Sequence, residues 1–533
     1  MATERCSEKV PREVRDAQSS PRVPRFDPKL AIELDPARPR AAEGRPGEEP
    51  SHRLVTVGDS LTHGFQSGAI YNTHLSYPAL IARELGIYDR FQHPSYERYG
   101  GLPMNIEYFL RELEERFGDT LATKLPRVLM AARDLMDEVE DFWETDAQEP
   151  GRFATRNHNL GIYGWDLYDA TVRSAADCRA DIEAPTDALF KQVVQNANER
   201  AALRVLAPGP VGQELLSPLG TAVALGNDGT LQTPGVGDGI ETLIVMLGAN
   251  NALGAVTQLR VCWSQHSSYE DPEAKQHYTV WQPEHFRQEL ARVVERVRTC
   301  RARHVIWATV PHVTIAPIAR GVGQKTKGSR YFSHYARPWV TDERFNERQD
   351  DHLTAADARA VDAAIDLYNA AIEAAVRDAR QDGLDWLLLD VCGLLDRIAS
   401  RRYIEDPFAQ PGWWTRYELP QPLLDLDVVP TSYFLQAGPQ GRTAGGLFSL
   451  DGVHPTTVMY GLMAEEYIRV MRLAGVQFPA SPAAGGTQID FEDLIRRDSL
   501  LLDPPRSVSG NLELIGWLDD KVGFAKRLLS RGR

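Results

Sequence analysis

Short apolar runs alternate with helical patterns along most of the chain. The run "RLVTV" at 53–57 is followed by others at 242–251, 304–312 and 385–391. The last three are apolar nearly throughout, as strands buried on both faces of a parallel sheet should be. The pattern therefore predicts central strands of an open sheet, with ordered structure beginning near residue 53.

A long segment between the last two strands carries a single apolar stripe at helical spacing. The stripe consists of Val361, Ile365, Tyr368, Ile372 and Val376. Their steps of four, three, four and four residues are typical of a helix with one buried face, which Thr354 can cap at its start and Gly383 at its end. A strand, an amphipathic helix and another strand form the crossover unit of an α/β sheet. The predicted fold class is therefore α/β with a central parallel sheet.

Other segments interrupt this alternation and suggest the domain boundaries. Residues 1–50 are rich in Pro, Arg, Glu and Ala, which predicts a flexible or loosely draped tail before a main domain at 51–475. Acidic amphipathic helices at 102–155 look like an inserted lobe and are a candidate lid. The Gly- and Pro-rich stretch at 206–240 predicts a long surface loop.

The last part of the chain, 476–533, is predicted to be a linker followed by a helical extension. Its apolar positions lie on roughly one side of a helix: Leu514, Ile515, Leu518, Val522 and Leu529. This helix either packs back onto the domain or meets a membrane surface or a partner.

Composition and charge narrow the range of partners. The 533 residues are 43% apolar and 25% charged, as in ordinary globular proteins. The net charge of −15 repels phosphate backbones and anionic lipid, so nucleic acid is not expected as a partner. The opening segment lacks the apolar stretch of a secretory signal, and no run approaches the ~18 apolar residues of a membrane span. The expected location is cytoplasmic.

Five cysteines are scattered along the chain without any CxxC pair: Cys6, Cys178, Cys262, Cys300 and Cys392. An odd, dispersed set argues against a disulfide framework and against structural zinc. The expectation is buried or idle thiols in a reducing compartment.

The stretch "VTVGDSLTHGF" places Ser60 where an apolar strand has just been broken by Gly58. Such a serine either caps a helix or acts as a nucleophile, and a nucleophile needs a base, an acid that orients the base, and oxyanion donors. Asp451 and His454 stand three residues apart in "DGVHP" and can supply the acid and the base. An Asp-x-x-His pair is a weak signal alone, and a structural cap is the alternative.

Candidate donors follow two other predicted turns. Asn250, after Gly248 in "GANN", offers a side-chain amide at the carboxyl end of a strand, where ligands bind in open parallel sheets. Gly164 in "NLGIYG" lets the backbone come close to a reacting oxygen, with Asn159 earlier in the same segment. An Asn that bonds its own turn, and a plain strand-to-helix turn, are the structural alternatives; Asn251 either supports Asn250 or only forms the turn.

In combination these segments resemble a known family. "GDSL" at 58–61, "NLGIYG" at 159–164, "GANN" at 248–251 and "DGVH" at 451–454 are similar, in sequence order, to the four blocks of the SGNH, or GDSL-type, hydrolase superfamily. The resemblance covers roughly residues 53–475. It implies a flavodoxin-like three-layer α/β/α sandwich and no metal or organic cofactor.

The resemblance also implies a role for each matching residue. Ser60 would be the nucleophile, His454 the base, and Asp451 the acid that orients His454. The oxyanion would be held by the backbone N–H groups of Ser60 and Gly164 and by the side chain of Asn250. Gly164 follows Ser60 by 104 positions, which is more than the family pattern suggests, and Gly100 and Gly101 in "YGGLPMN" are the rival for the second block. The Asn-x-x-x-x-Gly spacing of the family, which Asn159 and Gly164 match, favours Gly164.

Four other features have both a structural and a functional interpretation. His63 is expected to pack or to face solvent, and Asp59 is expected to bond the turn backbone. His312 follows a strand end and is a candidate for the pocket wall. The aromatic stretch "RYFSHYARPW" at 330–339 either forms an apolar wall of the site or covers the sheet.

The leading functional prediction is a serine ester hydrolase, an esterase or lipase that acts on a small-molecule or lipid ester through an acyl-enzyme. An acyltransferase with the same triad is one alternative, and a non-catalytic binding protein that retains the fold is another. Membrane contact is expected only through the C-terminal helix. The sequence does not distinguish between ester substrates, since one fold hosts many of them, and it leaves the oligomeric state open.

Overall fold

Five parallel strands form the centre of the molecule in a computed structural model. The model describes residues 7–18, 21–35, 50–118, 121, 125–145, 155–182, 194–228, 239–265, 269–275, 277–480, 482 and 486–508. Across the sheet, the strands are in turn β11 (Trp386–Leu389), β7 (Ala302–Ala308), β6 (Ile240–Met246), β1 (His52–Gly58) and β5 (Asn159–Gly161), and every pairing in this sheet is parallel. The predicted α/β fold class is confirmed.

Strands and helices alternate along much of the described chain. In chain order, the strands are β1 (His52–Gly58), β2 (Phe65–Gln66), β3 (Ala69–Ile70), β4 (Leu102–Pro103), β5 (Asn159–Gly161), β6 (Ile240–Met246), β7 (Ala302–Ala308), β8 (Arg320–Gly321), β9 (His334–Ala336), β10 (Leu353–Thr354), β11 (Trp386–Leu389), β12 (Gln436–Gly438) and β13 (Gly441–Ala444). The helices are α1 (Arg12–Ala17), α2 (Ser60–His63), α3 (Tyr77–Glu84), α4 (Ile106–Phe117), α5 (Leu125–Glu144), α6 (Leu167–Val172), α7 (Ala175–Asp181), α8 (Ala197–Leu206), α9 (Pro218–Gly226), α10 (Gly254–Gln258), α11 (Pro272–Lys275), α12 (Pro283–Thr299), α13 (Ala355–Gln381), α14 (Val391–Ile398), α15 (Gln421–Leu424), α16 (Thr457–Leu473), α17 (Phe491–Arg497) and α18 (Ser499–Leu502).

The central strands bury both of their faces, which explains their nearly continuous apolar sequences. Val55, Leu243 and Val305 face the core beneath α9, α12 and α13. The residues that follow Leu243 and Val305 in sequence, Ile244 and Ile306, face the opposite core beneath α3, α14 and α16. Helices thus cover both faces of the sheet, which gives the three layers of an α/β/α sandwich.

The longest helix, α13, follows the predicted pattern closely. Thr354 caps its start in a reciprocal capping box with Asp357, and Gly383 lies just beyond its end with a φ of 85°. The apolar stripe from Val361 to Val376 is buried against the sheet. The interpretation of the strand–helix–strand segment as a crossover unit is confirmed.

The inserted lobe consists of α4 and α5, packed with α8 and a small antiparallel sheet of β2, β3 and β4. Its apolar core includes Phe65, Tyr163 and Leu450, which belong to the segments that carry the candidate site residues. The two predicted amphipathic helices are confirmed, and the role of the lobe as a lid stays a prediction.

Two sequence expectations differ from the structure. The stretch at 206–240 contains the helix α9, which Ser217 caps by accepting the Gly220 N–H and which places Leu219 and Leu225 in the core. The expected long loop is therefore wrong at that position. Cys262 is disulfide-bonded, whereas Cys178, Cys300 and Cys392 are free. The expectation of thiols throughout is wrong at Cys262, because chain contacts that spacing does not reveal bring distant segments together, as in the pairing of Ser7 with Trp263.

The described parts of residues 1–50 are packed on the domain instead of lying loosely over it. Val14 and Leu30 are buried, and the Pro28 carbonyl accepts the Leu388 N–H at 2.9 Å, along the open edge of β11. Arg22 forms a buried ion pair with Asp390 at 2.9 Å. The amino-acid composition of residues 1–50 does not reveal such single contacts, which explains why it predicts a loosely draped tail.

At the other end of the chain, α17 and α18 pack against the domain and contribute Leu494 and Leu501 to its core. The predicted helix around 514–529 lies outside the described residues. Across the part of the chain that the structure describes, no helix combines the length and the apolar composition that crossing a membrane requires.

Candidate active site

The turn after β1 places Ser60 at the carboxyl end of the sheet. Asp59 starts α2 by accepting the Leu61 N–H at 3.1 Å, as expected for a structural role. A Cβ at Gly58 would lie 1.9 Å from Thr62 Oγ1, so glycine is needed where the short helix folds back over the strand. Ser60 thus begins a helix and also lines a cleft.

Ser60, His454 and Asp451 form one continuous chain of hydrogen bonds. His454 Nε2 lies 2.9 Å from Ser60 Oγ, and His454 Nδ1 lies 2.9 Å from Asp451 Oδ2. The Asp451 carboxylate also accepts the backbone N–H groups of Gly68, Val453 and His454 at 2.8–2.9 Å. All three side chains are buried. The structure therefore brings together the three residues that the sequence singles out.

The hydrogen bonds around Asp451 fix its charge and the tautomer of His454. Burial would raise the pKa of Asp451, but His454 and the backbone N–H donors hold that pKa below its usual value. An ionised Asp451 accepts a hydrogen bond from the N–H at Nδ1 of His454, which leaves Nε2 as an acceptor facing Ser60. The Phe65 ring packs beside the imidazole, with ring centroids 4.4 Å apart. His454 is thus held in the orientation and tautomer of a general base.

A second buried acid at the site, Asp59, has its pKa shifted in the opposite direction to that of Asp451. Burial raises the pKa of Asp59 to about 6, against the opposing effects of the Leu61 N–H and of His454. Asp59 and Asp451 are both fully buried acids near His454, but only Asp451 accepts a hydrogen bond from its ring.

Three candidate oxyanion donors come from the ends of three adjacent strands, β1, β5 and β6. Asn250 donates one amide N–H to the Trp165 carbonyl at 2.8 Å, which leaves its second N–H and ties it to the residue after Gly164. Gly164 has a φ of 74° in a tight turn, and the neighbouring Ile162 N–H donates to the Gly58 carbonyl at 3.1 Å. Within the described part of the chain, the backbone N–H groups of Ser60 and Gly164 have no hydrogen-bond acceptor.

The other residues of these motifs have structural contacts. Asn159 is buried and donates to the Thr62 carbonyl at 2.9 Å, which fixes the end of α2 on β5. Asn251 is buried, and its backbone N–H donates to the Gly248 carbonyl at 3.1 Å, which closes the turn. Gly101, part of the rival for the second block, has its own structural reason: a Cβ there would lie 1.9 Å from the Ile70 carbonyl oxygen of the small sheet.

His63 is packed, as expected, but it also holds the turn that contains Gly164. Its Nδ1 accepts the Tyr163 N–H at 3.2 Å, so its Nε2 carries the proton and donates to the Tyr96 hydroxyl at 2.9 Å. Tyr96 in turn donates to the Ala201 carbonyl. Full burial lowers the pKa of His63 to about 3. The sequence shows a histidine at this position but not the partner segments that give it this role.

Because its folded-state pKa lies below the unfolded value, His63 should make the fold sensitive to acid. The unfolded chain binds more protons below about pH 6.5, so stability is lost as the pH falls from there toward 3. We expect His63 to contribute a fall of a few kcal/mol at most to the free energy of unfolding over this range, so the total fall should be smaller in His63→Gln. Denaturant titrations at several pH values measure this, with the partly exposed His334→Gln as the control. If the free energy of unfolding depends on pH in the same way in the native protein and in His63→Gln, the lowered pKa of His63 is contradicted.

An apolar cleft opens beside the Ser60 hydroxyl, with a volume of about 670 Å³ that includes its open mouth. Ser60 and His454 lie on its wall, and its other lining residues carry no charge. They are Leu61, Ala249, Leu253, Pro311, Val313, Ala316, Val391, Leu394, Leu395, Phe448, Val453, Pro455, Met459 and Met463. The cleft is suited to an uncharged hydrocarbon group.

His312 is buried behind the cleft wall and does not line it. Its ring nitrogens lie 3.1 Å from Asp396 and 3.0 Å from Asp366. Burial opposes protonation, but the surrounding negative groups prevail and raise the pKa of His312 well above its usual value. The interpretation of His312 as part of the pocket wall is therefore wrong: its ring is buried and bound by Asp366 and Asp396, and it does not line the cleft.

Two groups of described residues have possible metal ligands within 4.8 Å of one another: His312, Cys392 and Asp396, and His334, Glu347 and His352. A protonated His312 has no lone pair to offer a metal. The second group lies in the segment that carries β9 and β10, and neither group lines the cleft.

In comparisons with known proteins, no family model, no curated protein and no solved structure matches the chain.

Proposed function

We propose that the protein is a serine ester hydrolase that cleaves carboxylic esters through an acyl-enzyme intermediate. The observation that carries the proposal is the hydrogen-bonded chain from Ser60 through His454 to the ionised Asp451, with 2.9 Å at both steps. The resemblance of the four sequence blocks to the SGNH superfamily supports the same conclusion. Acyl transfer also requires oxyanion donors, and the backbone N–H groups of Ser60 and Gly164, which have no acceptor among the described residues, can supply them.

In the proposed reaction, His454 Nε2 takes the proton of Ser60 Oγ as the oxygen attacks the ester carbonyl carbon. The oxyanion that forms accepts hydrogen bonds from the N–H groups of Ser60 and Gly164 and from the free amide N–H of Asn250. His454 then gives its proton to the leaving alcohol oxygen as the C–O bond breaks. A water molecule, deprotonated by His454, then attacks the acyl carbon, and His454 returns that proton to Ser60 Oγ as the acyl–oxygen bond breaks and the acid is released. Asp451 stays ionised and stabilises the imidazolium.

The apolar cleft favours esters of uncharged, hydrocarbon acyl groups. Each buried methylene contributes about 0.8 kcal/mol, or about fourfold in kcat/KM, until the cleft is filled. Initial rates on p-nitrophenyl esters of graded acyl length should therefore rise and then level off, and a fluorophosphonate should label Ser60. A protein that hydrolyses none of these esters and resists the fluorophosphonate would contradict the proposal.

Removal of the Asn250 amide should slow the chemical step more than substrate binding. Asn250→Ala should lower kcat on the order of 10²–10³-fold with little change in KM, because the amide acts on charge that develops in the transition state. Asn227→Ala, an exposed asparagine at the end of α9, is the control. Steady-state kinetics decide this, and an unchanged kcat in Asn250→Ala would remove Asn250 from the proposed oxyanion site.

A further inference from the structure

A second cavity lies across the short turn Val313–Ile315 from the apolar cleft. Val313 lines the apolar cleft, whereas Thr314 and Ile315 line the second cavity, so the turn separates the two. The volume of this cavity is about 690 Å³, its open mouth included.

Four arginines line this cavity: Arg320, Arg330, Arg401 and Arg402. Among the described residues, no carboxylate lines it. The cavity thus has the opposite sign to the chain as a whole, whose net charge is −15. A concave, locally positive surface in an acidic protein attracts small anions while it disfavours extended polyanions.

Only part of this positive charge is balanced by ion pairs. Arg402 pairs with buried Asp362 at 2.8 Å, and Arg320 pairs with Asp342 at 2.7 Å. Arg330 and Arg401 have no ion pair with a described carboxylate. Two guanidinium groups of the cavity wall therefore make no direct ion pair within the described part of the chain, although Asp342 and Glu405 act on Arg401 from a greater distance.

Arg401 is held in place by neutral groups. Its Nη1 donates to the Gly321 carbonyl at 2.7 Å, and its guanidinium lies 4.5 Å from the centroid of the Phe332 ring. Burial and, after it, repulsion from Arg320 lower the pKa of Arg401, which an anion in the cavity would reverse. A guanidinium fixed over a ring keeps further N–H groups for a planar or tetrahedral oxyanion.

The remaining walls are largely aromatic and apolar. Phe332, Tyr335, Pro338 and Phe434 line the cavity together with Ile315. Part of this wall comes from the stretch at 330–339, which lines this cavity and not the cleft beside Ser60. The cavity therefore combines two arginines that make no direct ion pair with a described carboxylate and a surface for a ring or a short apolar group.

We propose that this cavity binds a small organic anion, namely a phosphate or carboxylate group carried on an aromatic or apolar body. Arg330 and Arg401 hold the oxyanion, and the aromatic walls hold the body. The site is separate from the proposed ester-cleaving site and does not depend on it.

Calorimetric titration of the full chain with phenyl phosphate, benzoate, inorganic phosphate and phenol tests this proposal. Phenyl phosphate or benzoate should bind saturably with a Kd of about 1 mM or tighter. The tighter of the two identifies the headgroup. Inorganic phosphate should bind about tenfold more weakly or worse, and phenol should not bind. Because the titration contains no ester, its outcome is independent of any hydrolysis.

Matched variants locate the binding. Arg330→Gln and Arg401→Gln should each weaken binding about tenfold or more, and Arg401→Lys, which keeps the charge, should weaken it less than Arg401→Gln. Arg296→Gln, on the exposed face of α12, should bind like the native protein. Near-UV circular dichroism verifies that each variant is folded. The proposal is overturned if neither organic anion binds the native protein, if phenol binds as well as they do, or if the folded Gln variants bind like the native protein.

Discussion

Ser60→Ala should abolish ester hydrolysis, with a loss in kcat on the order of 10⁶-fold. Alanine has no oxygen to attack the ester carbonyl, so no acyl-enzyme can form and His454 Nε2 has no proton to take. The turn itself should survive, because the Asp59 cap and the Ser60 backbone do not use the hydroxyl. Hydrolysis of a p-nitrophenyl ester and the mass increase after fluorophosphonate treatment measure the effect.

Ser95→Ala is the matched control for this experiment, because Ser95 is an exposed serine outside the cleft. It should keep the native rate and the native mass increase. If Ser60→Ala hydrolyses the ester at the native rate, or if the probe still adds to it, Ser60 is not the nucleophile and the proposed function fails.

Asp451→Asn should cost on the order of 10⁴-fold in kcat, although it changes one atom. Oδ1 of Asp451 accepts the Val453 and His454 N–H groups, and Oδ2 accepts both the Gly68 N–H and the His454 Nδ1–H. In this variant, a carboxamide that keeps its oxygen at the Oδ1 position turns its NH₂ group toward the Gly68 N–H and His454 Nδ1. His454 Nδ1 must then accept a hydrogen bond from the amide, so Nε2 carries the ring proton and can no longer take one from Ser60.

Asp59→Asn provides the comparison, since it neutralises a second buried acid beside His454. The carboxamide oxygen can still cap α2, so we expect a change in kcat of less than about tenfold. Steady-state kinetics of the two variants at one pH separate the effects. Equal losses in both would mean that general electrostatics, and not the tautomer of His454, account for the role of Asp451.

The fold class follows from the sequence because burial on both faces leaves a clear signature. The apolar runs that become β6, β7 and β11, and the stripe of α13, each reflect a local period that chain contacts do not override. The helix α9 is hidden by glycine and proline, although its start at Ser217 and Pro218 is a recognisable cap. The packing of residues 21–35 depends on single contacts with distant residues, such as the Arg22–Asp390 ion pair and the Pro28–Leu388 hydrogen bond, and no local pattern records these.

The same distinction applies to the candidate site. Ser60, Asp451, His454, Asn250 and Gly164 stand in short motifs, so they can be found one by one and ordered by their resemblance to a family. Other contributors come from segments without a motif.

The Gly68 N–H on Asp451, the Phe65 ring beside His454 and the hold of His63 on Tyr163 depend on how separate segments meet. The arginine-lined cavity is a similar case, since its cations come from three stretches of the chain. Short-range patterns therefore predict the candidate catalytic groups but not the contacts that separate segments make with them.

The docked N-terminal segment has a consequence for how the protein should be produced. Arg22 and the Arg25 backbone N–H both bind the carboxylate of Asp390, and the Arg22 N–H binds Asp366, which also contacts His312. A recombinant chain that starts at residue 51, where composition suggests the domain begins, would strip this carboxylate of its cation and uncover the β11 edge. Exposed strand edges promote intermolecular pairing, so such a truncation would favour aggregation before any assay is reached.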